Sequence, residues 1–336
     1  FKDMIFLHIG RHKTGTSSIQ HYFKENYEFF VKRNLNYITD ENNKAFHYVP
    51  NILREENYSK ELMMDVNKQI RYETKNINKN FLYSSEAFQN CSPSKINQIF
   101  QNTGHELVVI AYFREPISYY ISSYKQRVHN VYLIEDFSTY AKKHQSLTKY
   151  IEFYKKWEKS FSNIIVKNFD RSIFKNNNLI HDFISIVIPK VKYDDLPSNQ
   201  PNKNKSLNDF DLLFKLILNN LFIEKKLTLI KPGKLYENLP DMFSRDLSNS
   251  VKRFYLNQRN LHQITKNSKQ AFSFNMIESD CYFKKDLFEP NKNLIIKDNC
   301  IDKILYKIDS LHEMRFIKKN NEIKKSNIRS LISKYI

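Results

Sequence analysis

The sequence predicts an α/β protein: a central, mostly parallel sheet of about five strands flanked by helices, with a helical C-terminal portion. Three observations carry this. Short apolar runs suited to burial on both faces recur at residues 4–9, 81–84, 107–113 and 164–169. Stretches of helical spacing separate them. The first run also passes through a glycine-bounded, hydroxyl-rich turn straight into the first helix.

Taken in order, the run from Met4 to Ile9 ends at Gly10, and from Ser17 onward Ile19, Tyr22, Phe23 and Phe30 recur on one helical face with no Pro or Gly between them. Helical patterns follow the later strands at 117–128, 147–161 and 179–188. The last carries Leu179, Ile180, Phe183, Ile184 and Val187 on one face. Residues 196–205 form a polar, Pro-containing loop, after which Ser206 and Asp209 cap a helix bearing Leu207, Phe210, Phe214, Ile217 and Leu221. The remaining third is predicted to be helical. One domain is expected over 1–300, followed by a charged helical extension over 301–336.

Composition narrows the function classes. The chain has 336 residues, with 54 Lys+Arg against 36 Asp+Glu for a net charge of +18, yet 41 % of it is hydrophobic, which excludes a disordered basic protein. Four Gly and nine Pro exclude collagen-like and low-complexity architectures. Cys91, Cys281 and Cys300 form no C-x-x-C pair, so neither a disulfide framework nor a thiolate zinc site is expected, and a reducing, cytoplasmic setting fits. No apolar run approaches the roughly 18 residues of a membrane span. The opening run is too short for a signal peptide. Much of the basic excess reads as a solvated Lys- and Asn-rich surface, but a field of this sign also concentrates nucleotides, acidic glycans and anionic membrane surfaces. The charge is dispersed and no nucleic-acid motif is present, so no nucleic-acid partner is expected.

The informative stretch is Leu7 to Gln20, LHIGRHKTGTSSIQ. Backbone N–H groups of such a turn and of the helix start converge on one spot, and Thr14, Thr16, Ser17 and Ser18 add hydroxyl donors, which makes an anion cradle. A nucleotide-hydrolysing P-loop reads G-x-x-x-x-G-K-[ST]. Here Gly10 and Gly15 keep that spacing, but Thr16 occupies the Lys position and Lys13 precedes the second glycine. The strand 107–113 ends in Arg114 rather than in an Asp able to hold magnesium, so no metal is expected. A second anion grip is expected at Arg114, where a strand ends and Pro116 suits the first helical position.

Lys-Thr-Gly-Thr-Ser at a strand-to-helix turn resembles the 5′-phosphosulfate loop of sulfotransferases that use 3′-phosphoadenosine 5′-phosphosulfate (PAPS). Arg114 with Ser122 eight positions later resembles the 3′-phosphate grip of that family. Further pieces, at 83–88, 166–171, 179–183, 204–207, 260–261 and 286–288, are similar to a bacterial branch whose members sulfate carbohydrates, so the resemblance spans about residues 4–290. It implies a three-layer P-loop-like sulfotransferase fold and a sulfuryl transfer from PAPS to a hydroxyl of a saccharide or glycolipid acceptor, leaving 3′-phosphoadenosine 5′-phosphate (PAP). It implies a cofactor site of Arg11, Lys13, Thr14, Gly15, Thr16, Ser17, Ser18, Arg114 and Ser122. The chain departs from the animal cytosolic members at Ser18, where they carry a Trp that stacks on adenine; Phe169 is the substitute stacker. Their C-terminal phosphate clamp is not evident, and Lys203 and Lys205 are the candidates to cover the phosphates.

In-line displacement at sulfur needs a group to neutralise the leaving oxygen and a group to accept the acceptor's proton. Lys13 is expected in the first role. Glu86, following the strand 81–84, is expected in the second, with His12 as the other candidate base. His8, inside the first strand, is expected to be buried and hydrogen-bonded. The competing readings are a P-loop-like magnesium-ATP kinase and a non-catalytic basic module that binds nucleic acid or a membrane surface.

Overall fold

The computed structural model describes residues 3–40, 45–54, 59–75, 79–130, 132–144, 149–198, 209–230 and 298–333. In chain order these form β1 (Met4–His8), α1 (Thr16–Glu25), α2 (Tyr27–Val31), β2 (Leu35–Ile38), α3 (Tyr48–Arg54), α4 (Lys60–Glu73), β3 (Asn80–Ser84), α5 (Pro93–Phe100) and β4 (Glu106–Phe113). Then come α6 (Pro116–Asn130), α7 (Phe137–Lys143), α8 (Tyr150–Glu158), β5 (Ile164–Asn168), α9 (Leu179–Val187), α10 (Asp209–Ile223), β6 (Leu227–Leu229), α11 (Asp298–Glu313), β7 (Ile317–Lys319) and α12 (Lys325–Ser333). Contacts group the described residues into two compact units, one from those within 1–115 and 149–203, the other from those within 116–148 and 204–336.

In the first unit a five-stranded sheet runs in the order β2-β3-β1-β4-β5, every pair parallel, as the predicted α/β class requires. Alternation along each strand sends side chains to opposite faces. Ile5, Leu7, Phe81, Tyr83, Val109 and Ala111 pack on one face against Ile70 of α4, Ile96 and Phe100 of α5, and Trp157 of α8. Phe6, Leu82, Val108, Ile110 and Tyr112 pack on the other against Ile19 and Phe23 of α1, Phe30 of α2, and Phe183 of α9. Helix, sheet and helix therefore form three layers. From β1 the chain steps out to the edge strand β2, returns to β3, and crosses β1 to reach β4. That reversal places the loops after β1, β3 and β4 side by side at the carboxyl edge, where open parallel sheets bind ligands.

The fifth strand, β2, is one that the sequence pattern leaves undistinguished. It has four residues, with Leu35 and Tyr37 buried and Asn36 and Ile38 half-buried, and it begins after Asn34, whose φ is +59°. Four residues hold two alternations, too few to stand out from a helical pattern.

One buried carboxylate ties this unit together. Asp182 of α9, 3 % exposed, accepts from the Tyr112 hydroxyl of β4 (2.7 Å), from Lys167 Nζ of β5 (2.7 Å) and from the Lys175 N–H (3.3 Å). Asp182→Ala leaves the Tyr112 hydroxyl without an acceptor and is expected to destabilise the unit by about 3 kcal/mol. Urea unfolding followed by Trp157 fluorescence checks this, because the chain's single Trp lies in this core. A shift below about 1 kcal/mol would remove Asp182 from the structural account.

In the second unit every residue from 211 to 221 of α10 is buried. Leu213, Ile217 and Leu221 share a core with Tyr124 of α6, Tyr140 of α7, Ile304 and Ile308 of α11, and Ile328 of α12. The stretch from 301, expected as a charged helical extension, is thus helix, strand and helix. β6 and β7, three residues each, pair antiparallel with Leu227 opposite Lys319. This ladder lies in the third predicted to be helical; three-residue strands carry no readable period. Among the described residues no helix is long and apolar enough to cross a membrane.

Candidate functional site

β1 ends at His8 and α1 starts at Thr16, so the seven intervening residues must reverse direction at the carboxyl edge. Lys13 (φ +66°) and Gly15 (φ +75°) take the left-handed conformation while Thr14 between them does not. This alternation turns successive N–H groups inward and forms a nest for an anion. Gly15 is the N-cap of α1, and a Cβ there would stand 2.2 Å from Leu179 Cδ2 and 3.0 Å from the Phe169 ring. Only glycine fits. The N–H groups of the first turn have no intrahelical acceptor and face the same way as the helix dipole; the Ser18 N–H closes back on the Gly15 carbonyl at 3.0 Å.

The loop's hydroxyls divide into two kinds. Thr14 is fully buried and its hydroxyl donates to the Arg11 carbonyl, so it braces the turn. Thr16 is 5 % exposed and its Oγ1 has no hydrogen-bond partner among the described residues. Ser17 is exposed and Ser18 half-buried.

Two cations flank the nest. Arg114, just past β4, donates from Nη1 to the Lys13 carbonyl at 3.2 Å, so it holds the loop as well as charging it. Its guanidinium lies 5.6 Å from the centre of the Phe169 ring, and its own carbonyl accepts from the Tyr150 hydroxyl at 2.8 Å. Burial, and after it the Arg114 charge, holds the Lys13 ammonium below the ordinary lysine range. Burial likewise lowers Arg114, opposed by Glu115 and Tyr150. An anion in the nest relieves both strains. Arg11, expected at the cofactor site, is 7 % exposed, and its guanidinium lies over the rings of Tyr150 (5.4 Å) and Phe153 (4.8 Å) of α8.

The third wall comes from the end of β3. Ser85 caps the 3₁₀ turn Glu86–Asn90, its Oγ accepting from the Ala87 N–H at 3.2 Å, which leaves the half-buried Glu86 carboxylate to the Gln20 amide at 3.2 Å. The same amide nitrogen lies 3.4 Å from both Ser84 oxygens. The His12 side chain reaches solvent beside Glu86. The protein packed around it lowers its pKa most; Glu86 opposes this, while Arg11, Arg54 and Lys13 add to it. His47 bonds through Nδ1 to Ser85 Oγ (2.6 Å), and its N–H donates to Asp40 (2.7 Å).

The structure thus gathers Lys13, Thr16, Arg114, Phe169, Glu86 and His12 at one edge of the sheet. Ser122 lies half-buried on α6, in the second unit. Lys203 and Lys205 fall outside the described residues, as do 204–207, 260–261 and 286–288. Sequence reasoning missed Gln20, Ser84, Ser85 and Asp40. The available signal was Gln20 itself, a polar residue on the buried face of α1 four positions after Thr16. Among the described residues no cluster of three or more His, Cys, Asp or Glu is placed to hold a metal ion. Comparison with family models, curated proteins and solved structures finds no match to this chain.

Proposed function

We propose that this protein is a sulfotransferase that moves the sulfuryl group of PAPS to a hydroxyl of a saccharide or glycolipid acceptor. The observation that carries the reading is the joining, at one sheet edge, of an N–H nest flanked by Lys13 and Arg114 with a carboxylate, Glu86, held on the neighbouring strand end. In support, Thr16 carries a buried hydroxyl at the loop with no hydrogen-bond partner among the described residues, and Lys13 and Arg114 bring two positive charges to it. In this reading the N–H groups of the loop and Thr16 hold the phosphosulfate end, which supplies the transferable sulfuryl group. Phe169, beside Gly15 and Arg114, offers its ring to the base. Lys13 neutralises charge on the leaving oxygen, and Glu86 takes the proton of the acceptor hydroxyl. The basic surface suits work at an anionic membrane, where glycolipid acceptors are presented.

Calorimetric titration with PAP in EDTA tests the donor, with magnesium-ATP as comparator and Arg114→Ala as control. Micromolar PAP binding without metal, lost in the variant, is the expected result. Preference for magnesium-ATP would replace this reading with a kinase, and binding of neither would favour a non-catalytic basic module.

A further inference from the structure

Lys24, Tyr27, Tyr37, Ile38, Thr39 and Glu73 line an open groove of about 480 Å³ at the carboxyl end of the edge strand β2, a volume usual for small-molecule sites. Its side walls come from opposite faces of the sheet. Lys24, in the last turn of α1, belongs to the layer packed on Phe6 and Leu82; Glu73, the last residue of α4, belongs to the layer packed on Leu7 and Tyr83. Tyr27, the first residue of α2, is 41 % exposed. The groove continues the site described above. Thr16, Gln20 and Lys24 are spaced four residues apart on α1, which puts them on one broad face. Thr16 stands at the nest, and Gln20 donates to Glu86 at 3.2 Å. Lys24 lines the groove one turn farther on, about 6 Å beyond Gln20 along the helix. Tyr37 makes the same link from the sheet: burial raises the pKa of its hydroxyl, and the nearby Glu86 and Asp40 charges raise it further. Nest, carboxylate and groove follow one another in that order.

An in-line displacement needs the attacking hydroxyl on the side of sulfur away from the leaving oxygen. With the leaving oxygen at the nest, that side is the one toward Glu86 and the groove. The lining also selects the ligand. An exposed tyrosine ring offers an apolar surface to the C–H face of a sugar ring, while Lys24 donates to hydroxyls and Glu73 accepts from them. Glu73 already accepts from the Gln69 amide (3.0 Å) and the Tyr83 hydroxyl (3.4 Å), and a carboxylate has about four lone-pair sites, so capacity remains. A cation on one wall and a carboxylate on the other suit a neutral sugar, whose hydroxyls both donate and accept; a polyanionic glycan would meet the Glu73 charge. We propose that this groove is the acceptor subsite, holding a neutral sugar residue over Tyr27 so that a hydroxyl of the same glycan reaches Glu86. The proposal rests on the sulfotransferase reading for the role of Glu86, and on the groove's own lining for the sugar.

The test uses the full chain and a panel of defined neutral and acidic oligosaccharides, read in two ways. Transfer from radiolabelled PAPS gives kcat and KM, and saturation-transfer NMR without donor reads sugar binding by itself. Tyr27→Ala is expected to raise the KM of the best neutral acceptor by about tenfold with little change in kcat, and Tyr27→Phe, which keeps the ring, to restore it. Glu73→Gln keeps an acceptor for Tyr83 but removes the charge, and is expected to improve acidic acceptors relative to neutral ones by about threefold. PAP calorimetry on each variant shows that the nest is intact. Active transfer with a KM that Tyr27→Ala does not move overturns the groove and leaves the sulfotransferase reading standing. Preference of the wild type for acidic over neutral acceptors, or failure of every neutral oligosaccharide to bind in either assay, overturns the proposal as well. Saturation transfer to a neutral oligosaccharide that Tyr27→Ala abolishes, with neither PAP binding nor transfer from PAPS, would keep the groove as a sugar site and overturn the sulfotransferase reading instead.

Discussion

Lys13→Ala is expected to cut sulfuryl transfer by about 100-fold or more while weakening PAP binding by much less. The reasoning starts from the backbone. Lys13 holds a left-handed φ of +66° within the nest, and Arg114 is anchored on its carbonyl at 3.2 Å, so the loop's shape depends on the residue-13 backbone and on Arg114. Alanine at 13 keeps that carbonyl. What it removes is the ammonium, which burial and Arg114 already hold below its ordinary range and which gains most where negative charge develops. Arg114→Ala acts differently: it removes a charge, a brace on the loop and the cation beside Phe169, so it is expected to weaken PAP binding first. Radiolabelled transfer from PAPS to a mixed pool of oligosaccharides and glycolipids, beside PAP calorimetry, separates the two. Wild-type behaviour of both variants would dismantle the two-cation account of the nest.

Much of this site was legible in the sequence because its parts are local. Gly10, Lys13 and Gly15 lie on one short turn between a doubly buried strand and an amphipathic helix, and such a turn has few ways to close. β1, β3 and β4 were legible for a related reason: buried on both faces along most of their length, they read as short apolar runs, while β5, half-buried at the sheet edge, still showed Ile164, Ile165 and Val166 together. The hydroxyls were not. Thr14 turns inward to the Arg11 carbonyl while the Thr16 hydroxyl has no partner among the described residues, and nothing in their spacing distinguishes them. Gln20 meets Ser84 and Glu86 across 64 and 66 residues of chain, a pairing set by the β1–β3 register with Leu7 opposite Tyr83 and His8 opposite Ser84. The division into two units was also hidden. It rests on which apolar stripes share a core, and the stripes of α6 and α10 carry no label of their partners.

Glu86→Gln carries the second large effect. The amide keeps the size of the carboxylate and can still accept from Gln20, so the nest and PAP binding are expected to persist, while transfer falls by about 100- to 10,000-fold. His12 is the only other group expected as a base, and electrostatics works against its stepping in. Glu86 is the one charge that raises the His12 pKa, against the packed surroundings and against Arg11, Arg54 and Lys13, which lower it. Removing Glu86 therefore leaves a weaker base at position 12, not a stronger one. The pH profile turns this into a decision. A base must be unprotonated to act, so the rate falls as pH drops through its pKa. If Glu86 is the base, the acidic limb disappears with the carboxylate and the residual rate is flat there. If His12 is the base, Glu86→Gln keeps substantial activity and moves the acidic limb to lower pH, because the charge that raised the imidazole has gone. That second outcome would reassign the proton acceptor to His12 and leave Glu86 as the group that tunes it.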